Sequence, residues 1–362
     1  MKKKLLIGIL TIALDERLAD NYAIYREYET QLDALGAELV VFTPYSIDWN
    51  KEQIHGLKLL EGEWQAAVTG MPDVVYNRLY GTHQETVQRL IAVLGPERVY
   101  NHNNRLDKLT VYRYLAASDL NQYLPPTAVY SWETLSLWLK QYARVILKPQ
   151  LGHYGVHIYL IHQTDTDYTI FAETLRNPRY TFTAGQLRNW LTDLMETLPS
   201  NKFLLQRWIE PLQYSGRYFD LRLLVQKAVP ERWQVTGILS RINRLSYFVS
   251  NYAYNIVDGN NLLRQLELVE LGDQLQKAAV QTAVLLHDKL GGLAELSVDF
   301  IIDTAYQPWI IEVNGKPRKD LFAHCCDETI MQKIYLQPIR YGLAVINDST
   351  RTKHFFGELH RK

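Results

Sequence analysis

Two runs rich in β-branched and aromatic residues, SVDFIID and PWIIEVN, flank a Tyr-Gln-Pro turn and predict a hairpin. Pairing brings Asp299 of the first run towards Glu312 and Asn314 of the second. One residue separates Glu312 from Asn314, so both side chains share a face while Val313 takes the other. Three oxygen donors on one face suit Mg²⁺, which takes one or two carboxylates and completes its shell with water and phosphate. The same residues would also be ordinary on the solvated face of an antiparallel hairpin. Two further groups can handle anions. Lys148 closes the apolar run ARVILKP and precedes the loop QLGHYG, whose Gly152 and Gly155 let backbone amides approach a phosphate. This is not a P-loop, which needs Gly-Lys-Ser/Thr leading into a helix, and a plain hairpin fits the same letters. In GRYFDLRLLVQK, Asp220 and Arg222 alternate with Leu221 and share a face. There Arg222 serves either as a bidentate clamp on phosphate or carboxylate, or as half of a cross-strand ion pair with Asp220.

The elements that must hold these groups follow from periodicity. Up to about residue 104, strand and helix alternate: LLIGIL, a helix over 22–35 closed by Gly36, AELVVFT, DVVYNRLY, a helix from after Thr82 to Leu94, and a short strand at 99–101. That order predicts a small open α/β domain with a mainly parallel sheet. No Gly-x-Gly-x-x-Gly follows its first strand, which removes a dinucleotide fingerprint. Arg78, at the end of an apolar strand, either reaches a ligand or is an ordinary surface arginine, the commoner case. Beyond residue 104 come a helix at LDKLTVYRYLAA, a Pro-Pro approach to a strand, a helix over 132–142, and two strands around the glycine loop. A helix over 184–198 precedes KFLLQRWIE, GRYFDLRLLVQK and WQVTGILSRINR, the last two joined at Pro230-Glu231. A helical stretch over 262–290, broken near Gly272 and closed by Gly291-Gly292, leads to the oxygen-bearing hairpin. The tail is helical, then basic and polar, with fraying expected after Thr350.

Composition narrows the function classes. The 362 residues balance 39 Lys and Arg against 39 Asp and Glu, and 47% apolar with 12% aromatic content fills two or three cores. No basic stripe points to nucleic acid. The two cysteines, Cys325 and Cys326, are adjacent, which excludes a disulfide framework and points to a reducing compartment. Next to His324 they read as small buried hydrophobes more readily than as a thiol nucleophile. Lys2 to Lys4 and the following apolar run outline a signal peptide, but Asp15, Glu16 and Arg17 follow without a small-residue cleavage site, so a buried strand is expected. No segment approaches the ~20 apolar residues of a membrane span.

In order and spacing, NRLDK, VILKPQLGHYG, FLLQRWIE, GRYFDLRLLV, GILSRINR, SVDFIID and IIEVNGKP resemble the ATP-grasp superfamily, and within it the YheC/YheD-like, endospore coat-associated branch. The resemblance implies a mixed α/β and α+β chain: an N-terminal open α/β (pre-ATP-grasp) domain over 1–104, then a two-subdomain ATP-grasp fold. Its first subdomain, with the phosphate-covering loop, takes 105–205; the second, with the metal site, takes 206–345; 346–362 is a polar tail. It further implies that Lys108 and Lys148 contact ATP phosphates beneath the Gly152–Gly155 loop. Gln206, Arg207, Trp208 and Ile209 form the hinge that holds adenine, and Asp220 lies near the ribose. Arg222 and Arg241 face the transferring phosphoryl group, and Asp299, Glu312 and Asn314 hold two Mg²⁺, with Mn²⁺ as an acceptable substitute.

The activity so implied is ADP-forming ligation of a carboxylate donor to an amine acceptor through an acyl phosphate, on peptide or on spore or cell-envelope material. A coat protein that binds nucleotide without turnover, or an ATP-dependent kinase on the same fold, are the other readings. A cytoplasmic protein that associates with the spore coat, with coat proteins as partners, is the expected setting. Two departures stand against the family pattern: on the first metal strand Ser297 and Ile301 replace common glycines while Asp299 is kept, and on the acceptor side Tyr254 and Asn255 replace a glycine pair after Asn251.

Overall fold

The computed structural model describes residues 4–14, 22, 24–152, 155–198, 202–229 and 232–359, with side chains to 347. The Asp15-Glu16-Arg17 flank, His153 and Tyr154 of the glycine loop, and the Pro230-Glu231 turn lie outside them.

The first hundred residues build a seven-stranded sheet. Leu5–Leu10 lies between Ala37–Phe42 and Val74–Asn77, both parallel to it, and Val74–Asn77 pairs in parallel with Val99–Tyr100. The other half is antiparallel: Gln53–Leu60 pairs with Ala37–Phe42, with the short strand Ile47–Asp48 and with Glu63–Gly70. The expected mainly parallel sheet is therefore mixed, because a hairpin unread in the sequence has been added. Its two-residue turn is Glu61-Gly62, with φ of 52° and 76°. A two-residue hairpin of this hand needs positive φ at both centres, and glutamate at the first disguised the signal. The expected 22–35 helix is also two pieces, Ile24–Glu27 and Glu29–Leu35, the second capped by Gly36 at φ 71°.

The next half is an antiparallel sheet ordered Tyr180–Phe182, Tyr168–Ala172, Tyr159–Gln163, Arg144–Pro149, Phe203–Arg207, Thr127–Val129. Trp132–Tyr142 and Ala184–Thr197 supply Leu135, Leu139, Leu187 and Leu191 to its core. Capping fixes where these helices begin. Ser131 accepts the Thr134 amide at 3.1 Å, and Thr183 with Gln186 forms a reciprocal capping box.

The third sheet runs Ala253–Asp258, Arg232–Asn243, Arg217–Val229, Glu295–Ile302, Pro308–Asn314, again antiparallel. Helix Val269–Leu290 covers one face with Leu275, Ala278, Ala279, Ala283 and Leu286. The expected break at Gly272 falls earlier, between Gly259–Gln265 and Val269–Leu290. Gly272 is buried inside the second helix. A Cβ there would sit 3.2 Å from Leu263, so the glycine lets the two helices approach rather than separating them.

Helix Glu328–Leu359 runs across residue 346, where a polar tail was expected, and past Thr350, where fraying was expected. Its Ile334, Leu336, Ile339 and Ile346 share one core with Ile7, Ile9, Tyr76 and Tyr100 of the first sheet. The two ends of the chain therefore close on each other.

Candidate active site

The two antiparallel sheets face each other across a cleft of about 820 Å³. Each wall carries one kind of chemistry. From the sheet that holds Arg144–Pro149, Lys148 near the end of that strand is buried. Its Nζ donates to Gln206 Oε1 at 2.9 Å on the neighbouring strand and to the Ile311 carbonyl at 3.2 Å across the cleft. Burial, helped by the charge of Lys108, pushes its ammonium down to about 8. Lys108 opens helix Lys108–Ala116, whose N-cap Asp107 also accepts from Gln150 at 2.6 Å. That bond ties the helix to the loop entry, and Lys108 Nζ reaches both the Gly152 carbonyl at 2.9 Å and Glu312 Oε1 at 3.2 Å. Gly155, at φ 69°, packs where a Cβ would meet Val249 at 2.4 Å and Asn251 at 2.9 Å, so only glycine fits at this edge of the loop.

The third sheet supplies a ladder of charges. Across Arg217–Val229 and Arg232–Asn243, Asp220 is opposite Arg241; across Arg217–Val229 and Glu295–Ile302, Arg222 is opposite Asp299. Arg222 grips Asp299 with two bonds of 2.8 and 2.6 Å, and Arg241 reaches Asp299 Oδ2 at 2.8 Å while also pairing with Asp220. Burial would push the Asp299 carboxyl up; the two guanidinium groups outweigh it and hold the group below its ordinary value. The cross-strand partner of Asp220 is thus Arg241, not Arg222. Asp220 is 2% exposed and lies behind Arg241, away from the cleft lining.

The hairpin forms in the expected register, with Asp299 opposite Glu312 and Ser297 opposite Asn314. Glu312 and Asn314 share the cleft face, and Asn314 Nδ2 lies 3.4 Å from Glu312 Oε2. Among the described residues no three His, Cys, Asp or Glu side chains have metal-ligand spacing. Glu312 and Asn314 nevertheless fit Mg²⁺, which needs few protein ligands when phosphate and water supply the rest. Buried Ser297 Oγ, with no hydrogen-bond partner, adds an unsatisfied oxygen on their face of the hairpin. Asp299 fits less well, because both its oxygens are already held by arginines.

The rest of the cleft is largely apolar or cationic. Ile146, Ile158, Ile209, Ile301 and Ile311 line one end, next to Gln206, Arg207 and Trp208. This branched apolar lining suits a planar ring. Towards the N-terminal sheet the lining becomes Arg78, Tyr80, Lys316, Arg318 and Asp320. Arg78 is no surface arginine. Its guanidinium pairs at 2.7 Å with Glu295, which is wholly buried, and donates to the Pro317 carbonyl at 3.3 Å. The strand end DVVYNRLY pointed to Arg78, but Lys316 was passed over. Its signal was the basic run Lys316, Arg318, Lys319 directly after the hairpin.

A family model described as YheC/D-like ATP-grasp matches residues 97–345. The chain belongs to the YheC/D-like ATP-grasp family. The endospore coat-associated protein YheD of Bacillus subtilis (strain 168) is 26% identical over 339 residues, covering 88% of this chain and 74% of that protein. Two solved structures share the ATP-grasp fold. D-cycloserine synthetase DcsG aligns over 92% of this chain and 99% of its own, at TM-score 0.56 and 12% identity. The D-alanine-D-alanine ligase from Coxiella burnetii aligns over 99% and 100%, at TM-score 0.56 and 11% identity. The cleft between the two antiparallel sheets is thus the groove of an ATP-grasp protein.

Proposed function

We propose that this YheC/D-like protein is an ADP-forming ligase that joins a carboxylate to an amine, with ATP in the cleft. The observation that carries this reading is the cleft's division of labour. Lys108, Lys148, Arg222 and Arg241 supply cations, Glu312 and Asn314 supply hard oxygens, and an isoleucine-lined end suits adenine. Phosphoryl transfer needs little else than in-line positioning and neutralised charge. Mg²⁺ at Glu312 and Asn314 would neutralise the phosphate oxygens there.

In this reading the donor carboxylate attacks the γ-phosphorus, the P–O bond to ADP breaks, and an acyl phosphate forms. The amine then adds to the acyl carbon, phosphate leaves, and the nitrogen loses a proton. Lys148 and Lys108 hold the phosphates, and Arg222 and Arg241 face the phosphoryl group in flight. Asp220 takes a different part from the expected ribose contact: behind Arg241, it orients that guanidinium. The loop around Gly152 and Gly155 covers the phosphates and keeps the acyl phosphate from water.

A second reading, a nucleotide-binding coat protein without turnover, draws support from Asp299, whose oxygens are both occupied by arginine, and from the coat association in the name of YheD. Two measurements separate them. Unfolding is followed with and without Mg²⁺ and ATP, where ligand at ~100 times its dissociation constant adds ~2.7 kcal/mol of stability. ADP release is then assayed with pooled carboxylates and amines. A Mg²⁺-dependent stabilisation with acceptor-dependent ADP release supports the ligase. Stabilisation without ADP release under any pairing supports the coat protein, and no stabilisation at all removes both.

A further inference from the structure

The cleft continues past the hairpin to the boundary with the first domain, and charge there does not balance. Its two carboxylates are both taken: buried Glu295 pairs with Arg78 at 2.7 Å and Lys319 at 2.8 Å, and Asp320 pairs with Arg318. Lys316 adds a fourth cation to Arg78, Arg318 and Lys319. Among the described residues its ammonium has no hydrogen bond or ion pair, and the charged group that acts on it is the like-charged Arg78. Arg78 itself uses three of its N–H donations on Tyr76, Glu295 and the Pro317 carbonyl, and a guanidinium carries five N–H groups. Backbone packing holds the arrangement. Gly315, just before Lys316, lies where a Cβ would be 2.5 Å from the Asn104 carbonyl oxygen, so the hairpin end is pressed onto the first domain.

Arg78 and Lys316 line the same cleft, and like charges there repel unless an anion lies between them. Resting on the ligase reading, we infer that the substrate carries a second anionic group, a carboxylate or phosphate ester, which Lys316 and Arg78 hold while its first carboxylate reacts. The substrate class is then a diacid or a phosphorylated acid, and Lys316 selects it.

The test titrates the full chain, saturated with MgADP, with glutarate, 3-phosphoglycerate and butyrate at constant ionic strength. Wild type, Lys316→Gln and Lys316→Arg are compared by calorimetry. The expected result is saturable binding of at least one of the two dianions, at least tenfold tighter than butyrate. Lys316→Gln loses that margin, Lys316→Arg restores most of it, and butyrate is unaffected by either change. Which dianion binds identifies the second group. The inference is overturned if wild type binds neither dianion more tightly than butyrate, or if Lys316→Gln keeps the full margin, with MgADP bound normally in both cases. Absence of MgADP binding would instead overturn the ligase reading, and the inference with it.

Discussion

At the scale of single residues, neighbouring charges in the cleft have different weights. Glu312 is 31% exposed and its ion partner is Lys108. Glu312→Gln should therefore cost less than about 1 kcal/mol of stability while removing Mg²⁺-dependent ADP formation; full turnover in that variant would dismiss Glu312 as a metal ligand. Asp299→Ala, the substitution the sequence would suggest for the same purpose, acts on something else. It strips Arg222 and Arg241 of a shared buried anion, and a broken buried pair costs about 3–5 kcal/mol. Urea unfolding of Asp299→Ala should show that loss, and an unchanged midpoint would mean the pair contributes nothing. Lys148 gives a pH signature. Its ammonium is depressed to about 8 in the free protein, and phosphate beside it favours the charged form, so binding takes up a proton. Nucleotide affinity should be full below about pH 8 and decline above it, with proton uptake measurable by calorimetry in two buffers. Lys148→Arg should flatten that decline; the same slope in the variant would assign it elsewhere.

At the scale of elements, legibility followed the strength of local patterns. The Trp132–Tyr142 helix, the hairpin and the placement of Glu312 and Asn314 on one face were readable because periodicity and register leave one solution. The Gln53–Leu60 and Glu63–Gly70 hairpin was not, since its turn uses glutamate at positive φ and its outer strand is largely exposed. The ion-pair partners were also hidden: residues 220 and 222 are visible as one face, but strand pairing decides that Asp220 meets Arg241 and Arg222 meets Asp299. The glycine loop carries its own test. Gly155→Ala places a Cβ against Val249 at a left-handed φ, so ATP should bind more weakly while the core strands remain; unaltered affinity would separate this loop from the phosphates.

At the scale of the molecule, Glu295 of the third sheet accepts from Tyr76 of the N-terminal sheet and pairs with Arg78 just after it. Burial would raise its carboxyl, but Lys319 and Arg78 outweigh that and bring it to about 2, against an ordinary 4.5. A depressed carboxylate contributes stability that is present above pH 4.5 and lost as pH falls towards 2, here about 3 kcal/mol. Acid unfolding should therefore steepen in that window, and Glu295→Gln should remove the steepening; an identical acid profile would show that the pair contributes no net stability. The shared core was unreadable from the sequence for a plain reason: Ile7 and Ile339 are separated by nearly the whole chain, and periodicity reports only a residue's own element.

That closure of the two chain ends has a consequence in time. The strands Leu5–Leu10 and Val74–Asn77 bury Ile7, Ile9 and Tyr76 against a helix that begins only at Glu328. At ~5–20 residues per second of synthesis, the first sheet waits roughly 10–50 s on the ribosome for its cover. Through that interval a greasy surface is open to chaperones, and the newborn protein's fate depends on what reaches it first.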